Sequence, residues 1–383
     1  MAGAADSSRD ELAATLGIAQ VPGIGPVRLR TLLAAFGGAG SALQAPHGAI
    51  AALPGFSRAA ATAVRGVSLR AGREILEQLD RLGARVLLAT DADFPPLLGE
   101  IPDAPVLLYV WGDARLLSRP ASAMVGSRNH SAYGAEAARL LAGGAARAAV
   151  IVSGMARGID ALAHAAALDA GGASVGVLGN GFGVIYPASN RELYERMLAH
   201  GCLVTELPPG ERPHAGAFPR RNRLISGLAA VTVVIEAAPG SGALITADFA
   251  LDQGRTVLAV PGPITSPTSL GCNKLIQQGA KPALSPADVL EELGLTLPDS
   301  PGHGPGVNPP ERAVPADLEP LERTLWDVLA TEPRHVDQLV AAARADTSSV
   351  LTALTALEMR GLVRQEPGMR FSLNVECGMR NAE

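Results

Sequence analysis

Between residues 85 and 285 the chain alternates short, uninterrupted apolar runs with glycine-rich turns and longer stretches of helical periodicity. Runs over 122–125, 149–152, 174–178, 203–206, 231–236 and 256–260 predict six strands, and the helical stretches after them start near Ser131, Gly158, Ser189, Phe218, Gly242 and Gly271. Strands that are apolar at every position, rather than at every second one, are buried on both faces. The pattern therefore predicts a doubly wound, mostly parallel α/β sheet over 86–295. In such a fold the strand-to-helix loops gather at one edge, where ligands bind.

The flanks read differently. Residues 1–85 predict short helices, 11–19 and 26–36, joined by Val21-Pro22-Gly23-Ile24-Gly25, with Pro26 suited to a first helical position. This resembles a helix-hairpin-helix element, and Leu53-Pro54-Gly55-Phe56-Ser57 is a degenerate second copy. The glycines of such a hairpin let backbone N–H groups approach a DNA phosphate; the same geometry also serves as a small helical cap with no nucleic-acid contact. Residues 296–317 are rich in proline and glycine and read as a linker. Three helical stretches, 318–329, 336–344 and 347–360, then precede two short strand runs, the order of a winged helix over 318–375.

Charge separates these segments. A net charge of −5 argues against a general polyanion binder, but residues 119–285 hold 14 basic and 10 acidic groups whereas 286–383 hold 8 and 16, so only the middle can attract phosphate. The winged segment, being acidic, reads as a protein-contact or regulatory module rather than a DNA reader. Cys202, Cys272 and Cys377 lie far apart without metal-ligand spacing, which predicts reduced structural thiols and no metal. The chain lacks the apolar run of ~18 residues that a membrane span needs, and its first ten residues lack a targeting pattern, so a cytoplasmic protein without membrane contact is expected.

The candidate chemistry lies on the loop edge. The loops and helix starts hold Gly126, Ser127 and Arg128; Ser153, Gly154 and Arg157; Phe218, Arg220, Arg221, Asn222 and Arg223; Pro239-Gly240-Ser241-Gly242; and, at the start of the last helix, Lys274. Glycine permits close approach of backbone to an anion, and an arginine fork matches phosphate oxygens. Phe218 offers either a base-stacking face or a hydrophobic staple at a helix start. For Arg157 and Arg220 the competing role is a salt bridge to Glu206 or Asp160, or a place in a solvated loop. A nucleic-acid backbone is the anion this set fits best.

Other chemistries are set aside. No Gly-x-x-x-x-Gly-Lys-[Ser/Thr] loop occurs, Gly179-Asn180-Gly181-Phe182-Gly183 fails the dinucleotide spacing, and Ser153 lacks a nucleophile elbow. Asp160 and His164, four apart, read as a helix-start carboxylate and a core-edge imidazole. No nucleotide or other cofactor is expected.

From about Ala92 to Asp288 the residues resemble the DNA-processing protein A (Smf) family of natural transformation. The resemblance rests on Val125-Gly126-Ser127-Arg128 with Tyr133-Gly134, Ser153-Gly154-Met155-Ala156-Arg157-Gly158-Ile159-Asp160, Tyr186-Pro187 with Asn190, Phe218-Pro219-Arg220-Arg221-Asn222-Arg223, and Glu236 with Ser241-Gly242-Ala243. It implies a Rossmann-like core that binds and shields incoming single-stranded DNA, helps load the RecA recombinase on strands covered by single-strand-binding protein, and forms a homodimer, without catalysis. It places Gly126, Ser127, Arg128, Ser153, Gly154 and 218–223 in the DNA site. The enzyme rival is a nucleoside-monophosphate phosphoribohydrolase on a similar core, but no glutamate follows Pro239-Gly240-Ser241-Gly242 before Asp248. In a third reading the core is a protein scaffold with solvated arginines.

Overall fold

A computed structural model of the chain describes residues 2–296, 318–329, 334–343, 345–366 and 369–373. Two compact units result, Met1–Pro298 and Asp299–Glu383. The expected linker falls, apart from residue 296, outside the described residues, as do Arg344 and Cys377.

The first unit is built on a nine-stranded sheet: β1 (Arg85–Leu88), β2 (Leu107–Gly112), β3 (Ala121–Val125), β4 (Val150–Ser153), β5 (Ser174–Val177), β6 (Cys202–Thr205), β7 (Val231–Val234), β8 (Thr256–Ala259) and β9 (Lys281–Pro282). The order is β1-β2-β6-β5-β4-β3-β7-β8-β9. All pairings from β6 through to β9 are parallel; β2 runs antiparallel to β6 and to β1. The fold is Rossmann-like, as the continuous apolar strands require: β3 to β7 are buried at every position. The sequence pattern predicts six of the nine strands. It misses β1 and β2, which form a meander with no crossover helix between them, and β9, which has two residues.

The chain leaves β3 towards β4 on one side and leaves β7 towards β8 on the other. Adjacent β3 and β7 therefore form the switch point, and the loops after them diverge to open a crevice. Core packing on the two sheet faces fixes this edge, one face filled by Ala138, Leu141 and Ile151 among others, the other by Leu98, Leu108 and Leu224.

Before the sheet, helices Ala2–Ala19, Pro26–Phe36, Ala39–Gln44, His47–Ala51, Arg58–Arg65 and Leu69–Leu82 form the N-terminal segment. Gly37 and Gly83, both at positive φ, end two of them in left-handed caps. Ala13, Leu16 and Leu79 share a buried cluster with Tyr109 and Leu203 of the sheet and Phe182 of the loop after β5, so the segment is welded to the core. The predicted hairpin is present over 20–25, and the Arg28 guanidinium donates to the Gly23 carbonyl at 2.8 Å.

The second unit has helices Pro320–Leu329, Val336–Ala343 and Thr347–Met359 with β10 (Arg334–His335), β11 (Val363–Glu366) and β12 (Arg370–Leu373) in the order β10-β12-β11, a winged helix. Leu325, Leu339, Val350 and Leu354 fill its core. Arg360 bonds the buried Glu322 at 3.2 Å.

Candidate nucleic-acid interface

The switch-point crevice is a cleft of about 730 Å³ between the loop after β3 and the turn after β7, with Arg128, Asn129, Phe218, Asn222 and Ser241 among its walls. A smaller recess of about 50 Å³ adjoins it over the ends of β4 and β5, lined by Arg157, Gly179 and Tyr186 and sharing Arg128, Phe218 and Arg221 with the cleft.

At the mouth stand three π-bearing groups. The Phe218 ring packs against Tyr186 with centroids 5.6 Å apart, tilted by 36°. Arg128 lies over the same Phe218 ring at 5.7 Å. Phe218 can come so close because Gly179 beneath it has no side chain; a Cβ there would stand 2.9 Å from the ring. Arg128 and Arg157 are exposed and Tyr186 is 44% exposed, so two guanidiniums and an aromatic face are open to a ligand together.

The other arginines predicted for this edge are not open to a ligand in the cleft. Arg221 is buried, 6% exposed, and its guanidinium donates to the carbonyls of Gly154 and Val177 at the ends of β4 and β5. A Cβ at Gly154 would collide with that guanidinium, which gives this glycine a packing reason. Asp160 is the counter-charge: it accepts from the Gly154 N–H at 3.1 Å. Burial pushes the Asp160 carboxyl up, with Arg221 and backbone donors opposing, and burial lowers Arg221 against the pull of Asp160. Arg221 is thus a clamp on the sheet's end, not a surface cation.

Arg223 is buried too, with Nε 2.9 Å from Asp103 and a second nitrogen 2.6 Å from Glu206. The salt bridge to Glu206 that the sequence offers to Arg157 or Arg220 belongs to Arg223. Arg220 is exposed on the far side of the helix Ala217–Gly227 from Phe218, and Lys274 is exposed on the helix Leu270–Gln277, outside the lining of the cleft. The expectation of six cations on one edge is corrected: helical spacing turns 221 and 223 inward, and 220 away.

The small and polar residues of the predicted set make contacts within the fold, and Gly126, Ser127 and Asn222 also line the cleft. Ser153 is fully buried and donates to the Met124 carbonyl at 2.6 Å. Ser127 accepts from the Asn129 N–H at 3.1 Å, Gly126 abuts Ile159, and Asn222 donates to the Gly242 carbonyl at 3.1 Å. They shape the loops that carry Arg128 and Phe218.

Three supporting groups escape sequence reading as site residues. Tyr186 supplies the partner ring. Glu236, buried at the end of β7, accepts from Ser131 N–H at 2.8 Å and Thr268 Oγ1 at 2.6 Å; burial raises its carboxyl, and these bonds hold it below the usual range on balance. Met155 has a positive φ of 55°, unusual without glycine. Its N–H donates to His164 Nε2 at 3.3 Å and its carbonyl accepts from Asn190 at 3.0 Å, which hold the turn carrying Arg157. His164 Nδ1 in turn donates to Ser174 at 2.7 Å; burial, then Arg221, pushes its pKa down to about 3. It is a neutral positioning group. Tyr186 and Asn190 carry sequence signals only as parts of family motifs.

Comparison with known proteins places this geometry. The family model described as DNA recombination-mediator protein A matches residues 85–294, and one described as DprA winged helix domain matches 309–369. Protein Smf of Synechocystis is 34% identical over 396 residues, covering 95% of this chain and 99% of its own. Protein Smf of Escherichia coli is 41% identical over 300 residues, 77% and 79% of the two chains. The X-ray structure of DNA processing protein A from Streptococcus pneumoniae has a TM-score of 0.66 at 35% identity, over 74% of this chain and 97% of that one.

Proposed function

The chain belongs to the DNA recombination-mediator protein A family, and from that premise we propose that its switch-point cleft binds single-stranded DNA through Arg128, Arg157 and the Phe218–Tyr186 pair. The observation that carries the reading is the stack at the mouth, Arg128 over Phe218 beside Tyr186. Guanidiniums neutralise phosphates of any sequence, and an aromatic face stacks on any base, so this combination suits a strand whose bases are unpaired. Duplex DNA hides those faces. The function is to hold and shield incoming strands in the cytoplasm and to pass them, coated by single-strand-binding protein, to the RecA recombinase, with the protein acting as a homodimer.

Binding rather than turnover is the activity in this reading. Glu236, two residues past β7, accepts from Ser131 and Thr268, which disfavours a role in hydrolysis of a base from a nucleotide.

Fluorescence anisotropy with labelled single-stranded and duplex DNA at two salt concentrations tests the reading. The wild type should prefer the single strand, and Arg128→Ala with Arg157→Ala should lower the salt slope by roughly 0.7 for each phosphate no longer neutralised. Equal affinity for duplex, or a slope that the double substitution leaves unchanged, overturns it.

A further inference from the structure

The segment 214–220, which runs into the first turn of the helix Ala217–Gly227 and is exposed except at Ala217 and Phe218, divides the cleft from a second recess, of about 250 Å³, that the function above does not use. One wall is the N-terminal hairpin and the helix after it, with Val21, Ile24 and Leu29; the other is the end of β5 and the helix Ala217–Gly227, with Leu178 and Leu224, all of them largely buried. Arg220 and His214, both exposed, stand at it. Residues two apart on a helix point to nearly opposite sides. Phe218 therefore faces the cleft while Arg220 faces the recess.

The two hollows are neighbours. The recess shares Leu178, Gly179 and Arg221 with the smaller hollow beneath Tyr186, which in turn shares Arg128 and Phe218 with the cleft. Between them the helix Ala217–Gly227 begins without a side-chain cap, so its first turn presents the positive end of its dipole to whatever crosses it. Among the described residues of the lining the one carboxylate is Glu206, and it is bonded to Arg223, which offsets its repulsion of phosphate.

Resting on the reading of the cleft as a single-strand site, we propose that this recess is a second nucleobase subsite of the same strand. A strand leaving Phe218 crosses the segment 214–220, sets a phosphate over the helix start and Arg220, and places a base between hairpin and sheet. Apolar walls suit the faces of a base, Arg220 suits its phosphate, and continuity with the cleft makes the occupant the next part of the bound strand. The N-terminal hairpin then meets DNA through its apolar side, Val21 and Ile24, rather than through its exposed Pro22-Gly23 tip.

Anisotropy with two oligothymidylates, one of about four nucleotides that fills only the cleft and one of about sixteen, separates the possibilities. Arg220→Ala removes the cation. Gly25→Leu fills the recess without strain, because Gly25 has φ −83° and open space where a Cβ would stand. Both variants should bind the short strand as the wild type does. On the long strand Arg220→Ala should lower the salt slope by ~0.7, and Gly25→Leu should weaken binding about fivefold or more at unchanged slope. Wild-type affinity of both variants for the long strand, while Arg128→Ala weakens both lengths, overturns the recess alone. Equal losses on both lengths, with melting temperatures unchanged, also overturn it by placing Arg220 in the cleft. If wild type binds neither strand, the cleft reading and the recess fall together.

Discussion

Replacing Arg221 by Met tests the division between buried and exposed arginines most directly. The substitution keeps an unbranched chain of similar reach but removes both hydrogen bonds to the Gly154 and Val177 carbonyls and takes from Asp160, 7% exposed, the larger of the two guanidinium charges that oppose the effect of its burial, leaving Arg128. Removing one partner of a buried pair costs about 3–5 kcal/mol, because the remaining charge is left unpaired in the interior. A surface cation would cost almost nothing. Urea unfolding followed by Trp111 fluorescence, in a Trp326→Phe background that leaves Trp111 as the remaining tryptophan, reports the sheet unit separately.

The pH dependence gives a second reading of the same change. Asp160 already has a raised pKa from burial, and Arg221 opposes the rise, so its removal raises the folded value further. Between the ordinary carboxylate pKa of ~4 and that folded value the native state holds the extra proton, and stability falls as pH rises. The deficit of Arg221→Met relative to wild type should therefore be smaller at pH 5 than at pH 8. Asp160→Asn on top of Arg221→Met should recover much of it at pH 8. A loss below about 1 kcal/mol, or a deficit that neither pH nor Asp160→Asn alters, refutes the buried-pair account.

Two further outcomes are expected. Phe218→Ala should weaken single-strand binding by ~1–3 kcal/mol for a lost stacked base and leave the salt slope unchanged, measured by anisotropy at several salt concentrations; a changed slope would assign Phe218 a part in holding Arg128. His164, with its pKa depressed to about 3 against an unfolded value of ~6.5, adds stability that is present above pH 6.5 and lost on acidification. Unfolding measured from pH 7 to pH 5 should show about 2 kcal/mol lost to this group, a component absent in His164→Gln.

Six of the parallel strands were legible because burial leaves few polar positions to interrupt the run, and each is followed by a helix that marks the unit; the two-residue, exposed β9 offers no such run. The meander of β1 and β2 carries no such rhythm. Leu107–Tyr109 is apolar at every position, but without a crossover helix it reads as part of a loop. At the site, Arg128 and Phe218 were readable from their loop positions. Arg221 and Arg223 were not, because an arginine's sequence neighbours do not reveal its counter-charge: Asp160 lies 61 residues before Arg221, and Asp103 lies 120 before Arg223. In a chain whose cations are nearly all arginine, residue type does not separate an interior clamp from a phosphate fork.

The two ends of the sheet bear on how copies of the protein can meet. One edge strand, β1, has four residues and opens on Arg85; the other, β9, is Lys281–Pro282, with a proline that has no N–H to offer. Short, charged or proline-bearing edges resist the strand-to-strand pairing by which exposed sheets polymerise. Copies that meet edge to edge are thus kept from zipping into a continuous sheet.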